Sequence, residues 1–521
     1  MKRSTSFWCA AAVLGLSAAL LFFRLGHYAL WDDEAGTALT AQGVLATGDT
    51  SAVLGHNVFA YNGGAELEGL RLRYMPPLQA YLAAPFLAAF GRDSALAARL
   101  PFALCALALV LLMLHWLRRT GADATSWFVF AVALLSNASF FLYGRQARYY
   151  APAMLCTAAV AYLYVFWNGS RRRLAAIGLW SIALLALNYL SFAALYLCLA
   201  ADYALWGRKS RPLSRNQWAI LFVPQLVAAV VLLSIWNPLG KHVMDTVSGA
   251  WWNDTAASIW FSFRDMHRCE FLSLPLLVAA PFLSRSSRNL WLVRAPLAVL
   301  VYVVAIACLA PLPATTLRVA QVRYLAPLLP LGFAVAVLCA RAVPERMRRI
   351  AVPLSLVLFC AHLLTARDFV RELALAPDDP YRGAARWINA NVREGESVWV
   401  TPDHMAYPLM FHAPKAVYAW QLTSPAQAQF EQLPLIHFRG RVPPDYAVVF
   451  GPGAETVLKD LNAWQGSKAR YARVATLDIF WRDLYRPELF WRSFGPVTGY
   501  DQNSQAISVL QRIQSPRADR L

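Results

Sequence analysis

Charged side chains are scarce in this chain of 521 residues, at 15% of the sequence against 58% hydrophobic residues. The apolar residues fall in uninterrupted blocks and do not recur every three or four positions, as they do in an amphipathic helix. A soluble core is not built from many stretches of roughly 18 residues that are nearly free of charge. The composition therefore excludes a large soluble protein and predicts an integral membrane protein.

Acidic residues are scarcer than basic ones, with 30 Asp and Glu against 48 Lys and Arg, which gives a net charge of +18. The basic residues lie in short breaks between apolar blocks, which is typical of cytoplasmic loops and not of a nucleic-acid surface. These clusters are MKR, LRRT, GSRRRL, WGRKSRPLSR, SRSSRNLWLVR and RAVPERMRR. We therefore expect membrane lipids, and no nucleic acid, as partners. Of the eight cysteines only Cys269 falls in a predicted external loop, so no disulfide framework is expected.

The apolar blocks and basic loops together predict a polytopic α-helical protein with about eleven transmembrane helices. The amino-terminal segment lacks a small-x-small cleavage site, so it is predicted to be an uncleaved first span. One orientation places every basic cluster on the cytoplasmic side, with the amino terminus inside and the tail outside. The predicted spans are Phe7–Leu25, Leu100–Leu117, Thr125–Tyr143, Ala151–Trp167, Leu174–Leu187, Leu190–Trp206, Trp218–Trp236, Phe271–Leu283, Ala295–Leu309, Tyr324–Ala340 and Val352–Thr365.

Residues 1–366 form the predicted transmembrane domain, with external loops at about 26–99 and 237–270. The apolar stretch Pro76–Gly91 would invert all later loops if it crossed the membrane, so it is predicted to be a helix along the outer surface. Residues 367–521 are predicted to be a small external α/β domain. Its pattern gives a helix from about Tyr381, a turn at Gly395 and strands at Ser397–Thr401, PDYAVVFGPG and RYARVATLDIF, with the helix AETVLKDLNAWQ between the last two.

Three adjacent carboxylates, Asp32, Asp33 and Glu34, follow the first span. They cannot lie in lipid, where each charge costs at least a few kcal/mol, so they belong at the water-facing mouth of the bundle. One explanation is an acidic cap on the next helix. The other is a general base, because a carboxylate at the edge of a low-dielectric cavity can accept a proton from a hydroxyl nucleophile.

Arginine and tyrosine recur at the outer ends of other spans, where positive charge runs against the positive-inside rule. Arg145 and Arg148 lie beside Tyr149 in FFLYGRQARYYAPA, and Arg323 precedes Tyr324 in LRVAQVRYLAPLLP. Interfacial anchoring explains this pattern if the side chains reach toward lipid headgroups. Alternatively, the guanidinium groups bind a phosphate or pyrophosphate at membrane depth.

The order of WDDEA, RYMPPLQAYLAAPFLAAFGRDSALAARLPFALCALALVLL, SNASFFLYGRQARYYAPAMLC and VRYLAPLLPL resembles the membrane glycosyltransferases of the GT-C fold. More narrowly, it is similar to the branch of protein O-mannosyltransferases, the lipid A aminoarabinose transferase and bacterial lipopolysaccharide-core transferases. The resemblance covers the membrane domain to about residue 340. It implies a multi-pass protein of the bacterial inner (plasma) membrane whose carboxy-terminal domain is periplasmic or extracellular.

The resemblance also implies a reaction and a set of site residues. The donor would be a polyprenyl-phosphate sugar, and the acceptor a hydroxyl of a lipid, glycan or protein, with inversion at the sugar carbon. Asp33 would be the base and Glu34 its partner, although Asp32 leaves the register ambiguous by one residue. The donor phosphate would be held by Arg99, Arg145, Arg148 and Arg323, and the cavity would be lined by Tyr149, Tyr324 and Arg73.

The chain departs from its relatives at RYMPP, where Met75 stands in place of a His or Lys and Arg73 is the candidate replacement. No cofactor is assigned, and a divalent metal is left open without ligands, because His56, His242 and His267 do not stand at ligand spacing. A flippase or transporter of lipid-linked sugars is the alternative, but it requires charged or broken midplane helices and an inverted repeat. An O-antigen polymerase or ligase and a purely structural membrane protein are further alternatives.

Overall fold

The computed structural model describes residues 3–237, 251–271, 273–310, 322–344, 353, 359, 362–374, 379–423, 430–464, 469–479 and 505–513. These residues divide into two compact units. The first unit covers residues 3–24 and 102–374, and the second covers 25–101, 379–479 and 505–513. The predicted boundary at residue 366 separates a membrane domain from an external domain, and it stays a prediction. The division into compact units is different, because residues 25–101 belong to the same unit as the carboxy-terminal part.

The first unit is helical. Most of its helices overlap the predicted spans, because each apolar block is long enough to form a helix, but the helix Trp251–Arg268 lies in the predicted external loop 237–270. In chain order the helices are α1 (Arg3–Phe22), α4 (Ala95–Arg119, which begins in the second unit), α5 (Ala124–Leu135), α6 (Ala138–Gly144), α7 (Tyr150–Val165), α8 (Arg171–Leu187), α9 (Tyr189–Asp202), α10 (Arg215–Ile235), α11 (Trp251–Arg268), α12 (Leu274–Ser287), α13 (Trp291–Leu309) and α14 (Leu329–Ala342).

Local features extend α9 and α14 and break the predicted span Thr125–Tyr143. A π-helical turn, Tyr203–Gly207, and the helical residues Arg208–Ser210 extend α9. The 3₁₀ turn Val322–Leu328 runs into α14. The predicted span Thr125–Tyr143 is two helices bent by 61°. Asn137 caps α6 by accepting a hydrogen bond from the backbone of Phe140 at 2.7 Å, which fixes the break.

Five helices in the described part of the chain are long and apolar enough to cross a membrane, or six if the bent pair counts as one span. The predicted number of eleven is therefore not confirmed. Several of the other predicted spans are apolar helices of fewer than 18 residues, such as Phe7–Phe22 and Tyr150–Val165. The predicted span Val352–Thr365 lies largely outside the described residues.

The second unit begins with α2 (Asp32–Thr47) and the short strands β1 (Val53–Leu54), β2 (Asn57–Val58), β3 (Leu67–Glu68) and β4 (Arg71–Leu72). The predicted surface helix is α3 (Leu78–Phe90), which packs against α2. Its position along the membrane surface stays a prediction. Tyr61 packs closely against α2 at Gly36, where an added Cβ would lie 2.2 Å from the tyrosine hydroxyl.

The described residues of the carboxy-terminal part form the α-helices α15 (Pro380–Asn391), α16 (Ala406–His412) and α17 (Ala454–Ala463). Its five strands are β5 (Ser397–Thr401), β6 (Val417–Tyr418), β7 (Tyr446–Phe450), β8 (Arg470–Ile479) and β9 (Gln505–Ile513), in the sheet order β6-β5-β7-β9-β8. β5 is parallel to β6 and β7, and β9 is antiparallel to β7 and β8. All predicted elements are present, whereas β6 and β9 were not predicted.

Candidate functional site

The predicted site residues fall into two groups, one in each unit. The acidic triplet, Arg73 and Arg99 belong to the second unit. The first unit holds Arg145, Arg148, Tyr149, Arg323 and Tyr324.

The three carboxylates occupy the first turn of α2 and differ in their surroundings. Asp32 and Asp33 are partly exposed, whereas Glu34 is 0% exposed. The carboxylate of Asp32, the first residue of α2, accepts the backbone N–H of Asp33 at 2.7 Å, whereas the cap position of this helix is Trp31. Acidic side chains are common in the first turn of a helix, because the helix amino terminus carries partial positive charge. Asp33, the candidate base, is partly exposed, whereas its neighbour Glu34 is fully buried.

Glu34 and Arg99 form a buried bidentate pair. Nε of Arg99 lies 2.8 Å from Oε1 of Glu34, and Nη2 lies 2.6 Å from Oε2. Nη1 also donates to the carbonyls of Leu25 and Tyr28 at 3.0 and 2.8 Å, and Nη2 donates to the carbonyl of Ala29 at 2.8 Å. All five N–H donors of Arg99 therefore have partners within the protein. This arrangement favours a positioning role over phosphate binding.

Residues 25–31, which lead into α2 and are called the lead segment below, are also held by side chains from the carboxy-terminal part of the unit. The carboxylate of Asp379 accepts the backbone N–H of Ala29, and Nε2 of His412 accepts the N–H of Leu30 at 3.0 Å. Asp379 also caps α15 through the N–H of Tyr381 at 2.9 Å. Asp379 and His412 thus fix the chain immediately before the acidic turn.

The protonation of these two side chains suits their contacts. Burial, followed by the charges of Arg99 and Arg382, lowers the pKa of His412 to about 3. The imidazole is therefore neutral near pH 7, with Nε2 available as an acceptor. Burial raises the pKa of Asp379, while backbone N–H donors and the charge of Arg99 act in the opposite direction.

Arg73 and three aromatic residues complete the surroundings of α2. Arg73 pairs with both carboxylate oxygens of Asp49, at 2.8 and 2.7 Å, and this contact holds the pKa of Asp49 below its usual value. The Tyr61 ring lies 5.8 Å from that of Tyr74 and 4.8 Å from that of Tyr407. Burial and nearby carboxylates, Asp32 among them, raise the pKa of Tyr407. These aromatic rings pack edge to face against one another beside the acidic turn.

In the first unit, four predicted residues come together. The guanidinium of Arg148 lies 5.7 Å from the centre of the Tyr149 ring, and that of Arg323 lies 5.3 Å from the Tyr324 ring. Tyr149 interacts electrostatically with both arginines and with Tyr324. Arg148 is only 7% exposed. The 3₁₀ turn that carries Arg323 packs against α7, so the cluster forms where α7 begins. Such paired guanidinium groups can bind phosphate oxygens.

Arg145 is also in this unit but has a different environment. Its Nη1 donates to the carbonyls of Leu20 and Leu21 at 2.8 and 3.0 Å, near the carboxy-terminal end of α1. These contacts satisfy carbonyls that lack partners within the helix. The geometry favours a role for Arg145 in holding α1 and α6 together over direct contact with a donor.

A metal site does not follow from the described residues, in which no group of three or more His, Cys, Asp or Glu side chains could hold an ion. Nε2 of His56 lies 3.0 Å from the carbonyl of Pro414, a contact within the protein. His267 is exposed on α11, and His242 lies outside the described residues.

Asp379 and His412 were missed by the sequence analysis. The only local signal was the Asp-Pro pair before α15, which marks a helix start. No spacing rule links Asp379 or His412 to the lead segment about 350 and 382 positions earlier.

No protein-family model and no curated protein matches the sequence. Solved structures do resemble it. ArnT from Cupriavidus metallidurans bound to undecaprenyl phosphate is 13% identical, with a TM-score of 0.55 and 98% of each chain covered. Its apo state is 14% identical, with a TM-score of 0.55 and coverage of 96% of this chain and 97% of that one.

The arabinofuranosyltransferase AftD from Mycobacteria is 16% identical, with a TM-score of 0.50, and the match covers 99% of this chain and 40% of that one. At these identities the likeness establishes the fold. These structures are GT-C membrane glycosyltransferases. The chain therefore has the GT-C fold.

Proposed function

We propose that this protein transfers a sugar from a polyprenyl-phosphate-linked donor to a hydroxyl of a lipid, glycan or protein acceptor. The reaction would take place on the outer face of the bacterial inner membrane. The observation that carries the proposal is the partly exposed Asp33 carboxylate on a helix turn whose lead segment is held by Arg99, Asp379 and His412. The GT-C fold, and the undecaprenyl phosphate bound to ArnT, support a lipid-phosphate donor.

In the proposed step Asp33 takes the proton of the acceptor hydroxyl as its oxygen attacks the anomeric carbon of the sugar. The bond between that carbon and the phosphate oxygen breaks, and the polyprenyl phosphate leaves with the electron pair. Arg148 and Arg323 would stabilise the charge on the leaving phosphate. A single displacement forms no sugar-enzyme bond, so the product is inverted at the anomeric carbon.

Glu34, which the resemblance makes the partner of the base, acts in this proposal through Arg99. Because both side chains are buried and directed at each other, Glu34 anchors the start of α2 to the lead segment and does not exchange protons with substrate. Asp379 and His412 are positioning residues of the same kind. A turn held at several points keeps the base in a fixed geometry, which reduces the reorganisation needed during reaction.

The proposal is tested with purified protein in lipid vesicles that contain radiolabelled undecaprenyl-phosphate hexoses or pentoses. Acceptors are taken from the glycolipids and glycans that lose a sugar in cells lacking the gene. We expect labelled acceptor and an equal amount of free undecaprenyl phosphate. Movement of intact labelled donor between vesicle leaflets, with no undecaprenyl phosphate released, would instead identify a flippase.

A further inference from the structure

The first unit contains a cavity of about 660 Å³ between its helices. Apolar side chains from six of the described helices form most of the wall, including Phe130 on α5, Leu195 on α9 and Phe333 on α14. Its volume lies within the range of roughly 300–1,000 Å³ that is typical of small-molecule sites. In a bundle of membrane helices, a cavity of this size and apolarity suits a hydrocarbon chain.

The cavity extends away from the arginine and tyrosine cluster at the start of α7, although Tyr302, Pro327 and Leu328 bring one end of its lining close to that cluster. Residues from Thr157 to Phe166, in the second half of α7 and just beyond it, line the cavity, whereas Tyr149 immediately precedes the helix. With 16 residues in α7, the two ends of the helix are about 24 Å apart. The cavity wall thus reaches the end of α7 that is distant from the cluster.

Polar groups collect at one end of the cavity. Arg294 forms a bidentate pair with Asp202, with Nε to Oδ1 at 2.7 Å and Nη2 to Oδ2 at 2.5 Å, and Tyr164 donates to Oδ2 at 2.6 Å. Trp291 supports this pair, with its ring centre 3.7 Å from the Arg294 guanidinium. Arg341 also lines the cavity and donates to the carbonyl of Thr120 at 3.2 Å. Hydrogen bonds between side chains therefore order this end of the cavity.

The charge at this end is positive. Asp202 neutralises Arg294, and within the described residues no carboxylate pairs with Arg341, which is exposed. The same end of the bundle carries basic residues in the last turn of α4, the first turn of α8 and the extension of α9, including Arg119, Arg171 and Arg208. Basic pockets between membrane helices on the cytoplasmic side are known to favour anionic lipid headgroups.

We propose that this cavity binds one anionic phospholipid, with an acyl chain among the apolar walls and its phosphate at Arg341. The lipid would fill space between α7, α9, α13 and α14 that side chains leave empty. Arg341 supplies a charge-assisted hydrogen bond to the phosphate, and the Asp202–Arg294 pair fixes the rim. The inference is independent of the proposed transferase activity.

The test is native mass spectrometry of the full-length protein with phosphatidylglycerol or phosphatidylcholine at equal concentrations. We expect one tightly retained phosphatidylglycerol and much weaker retention of phosphatidylcholine. Arg341→Gln should weaken retention about tenfold, since it removes one charge-assisted hydrogen bond. The matched control is Arg285→Gln, at an exposed arginine of the same end that does not line the cavity.

Cavity filling gives a second, independent readout. Ala161→Phe and Ala334→Phe place rings in the space from opposite walls and should abolish retention. Leu179→Phe, at a side chain that is 68% exposed on α8, is the control for added aromatic bulk and should retain the lipid. Full retention in both filling variants overturns the proposal. Equal binding of the two phospholipids, or an equal loss in Arg285→Gln, overturns the headgroup assignment.

Discussion

Replacing Arg99 by methionine should destabilise the second unit strongly, because this guanidinium supports both Glu34 and the lead segment. The change leaves the carboxylate of Glu34, which is 0% exposed, without its counter-ion. Removing one partner of a buried ion pair costs about 3–5 kcal/mol in the free energy of unfolding. The carbonyls of Leu25, Tyr28 and Ala29 also lose their hydrogen bonds to Arg99.

The matched control is Arg71→Gln. Nε of Arg71 lies 3.4 Å from Asp49, but its side chain is 56% exposed, so its loss should cost at most about 1 kcal/mol. The assay is thermal unfolding of both variants in one detergent at one scan rate. A double variant, Arg99→Met with Glu34→Gln, should recover part of the loss, because the uncompensated charge is gone. Equal midpoints for Arg99→Met and Arg71→Gln, or no recovery in the double variant, would refute the reasoning.

Two further predictions concern other parts of the site. The folded state keeps the pKa of His412 near 3, while the unfolded chain titrates near 6.5. The unfolded state therefore binds the extra proton, and stability falls as pH drops below 6.5 by about 1.4 kcal/mol per pH unit. His412→Gln retains a hydrogen-bond acceptor but cannot titrate, so it should remove this part of the dependence of stability on pH. Thermal unfolding at pH 6.5 and 4.5 measures that dependence, and a dependence equal to that of the wild type contradicts the assignment. Arg148→Gln should raise KM for the polyprenyl-phosphate sugar about tenfold or more in the transfer assay. Arg145→Gln should lower thermal stability without raising KM. The reverse pattern would show that Arg145 binds the donor and Arg148 holds helices together.

The sequence was sufficient to locate most helices and several strands because the apolar blocks, the caps and the turns are local signals. Ser397–Thr401 is a strand with the predicted bounds, and Gly395 adopts a φ of +83° at the predicted turn. The number of spans could not be predicted from composition alone. Composition treats Thr125–Tyr143 as one apolar block, but Asn137 caps a second helix that is bent by 61° from the first.

The candidate site was predictable in residue type but not in contacts. Arginine at position 99 could be expected to bind phosphate, yet the fold directs all its donors at Glu34 and backbone carbonyls. Likewise nothing local indicates that Asp379 and His412 reach the lead segment. Contacts across hundreds of residues depend on tertiary packing, which a single sequence does not encode in any short pattern.

The most direct test of the account compares Asp33→Asn with Asp32→Asn in single-turnover transfer of a radiolabelled sugar from undecaprenyl phosphate. Asp32 accepts the backbone N–H of Asp33 at 2.7 Å, and the side-chain oxygen of Asn can accept the same bond, so Asp32→Asn should leave most of the rate. Loss of a general base lowers the rate by about 100- to 10,000-fold. The account predicts that loss for Asp33→Asn alone, with unchanged donor binding. Transfer by Asp33→Asn at the wild-type rate would contradict it.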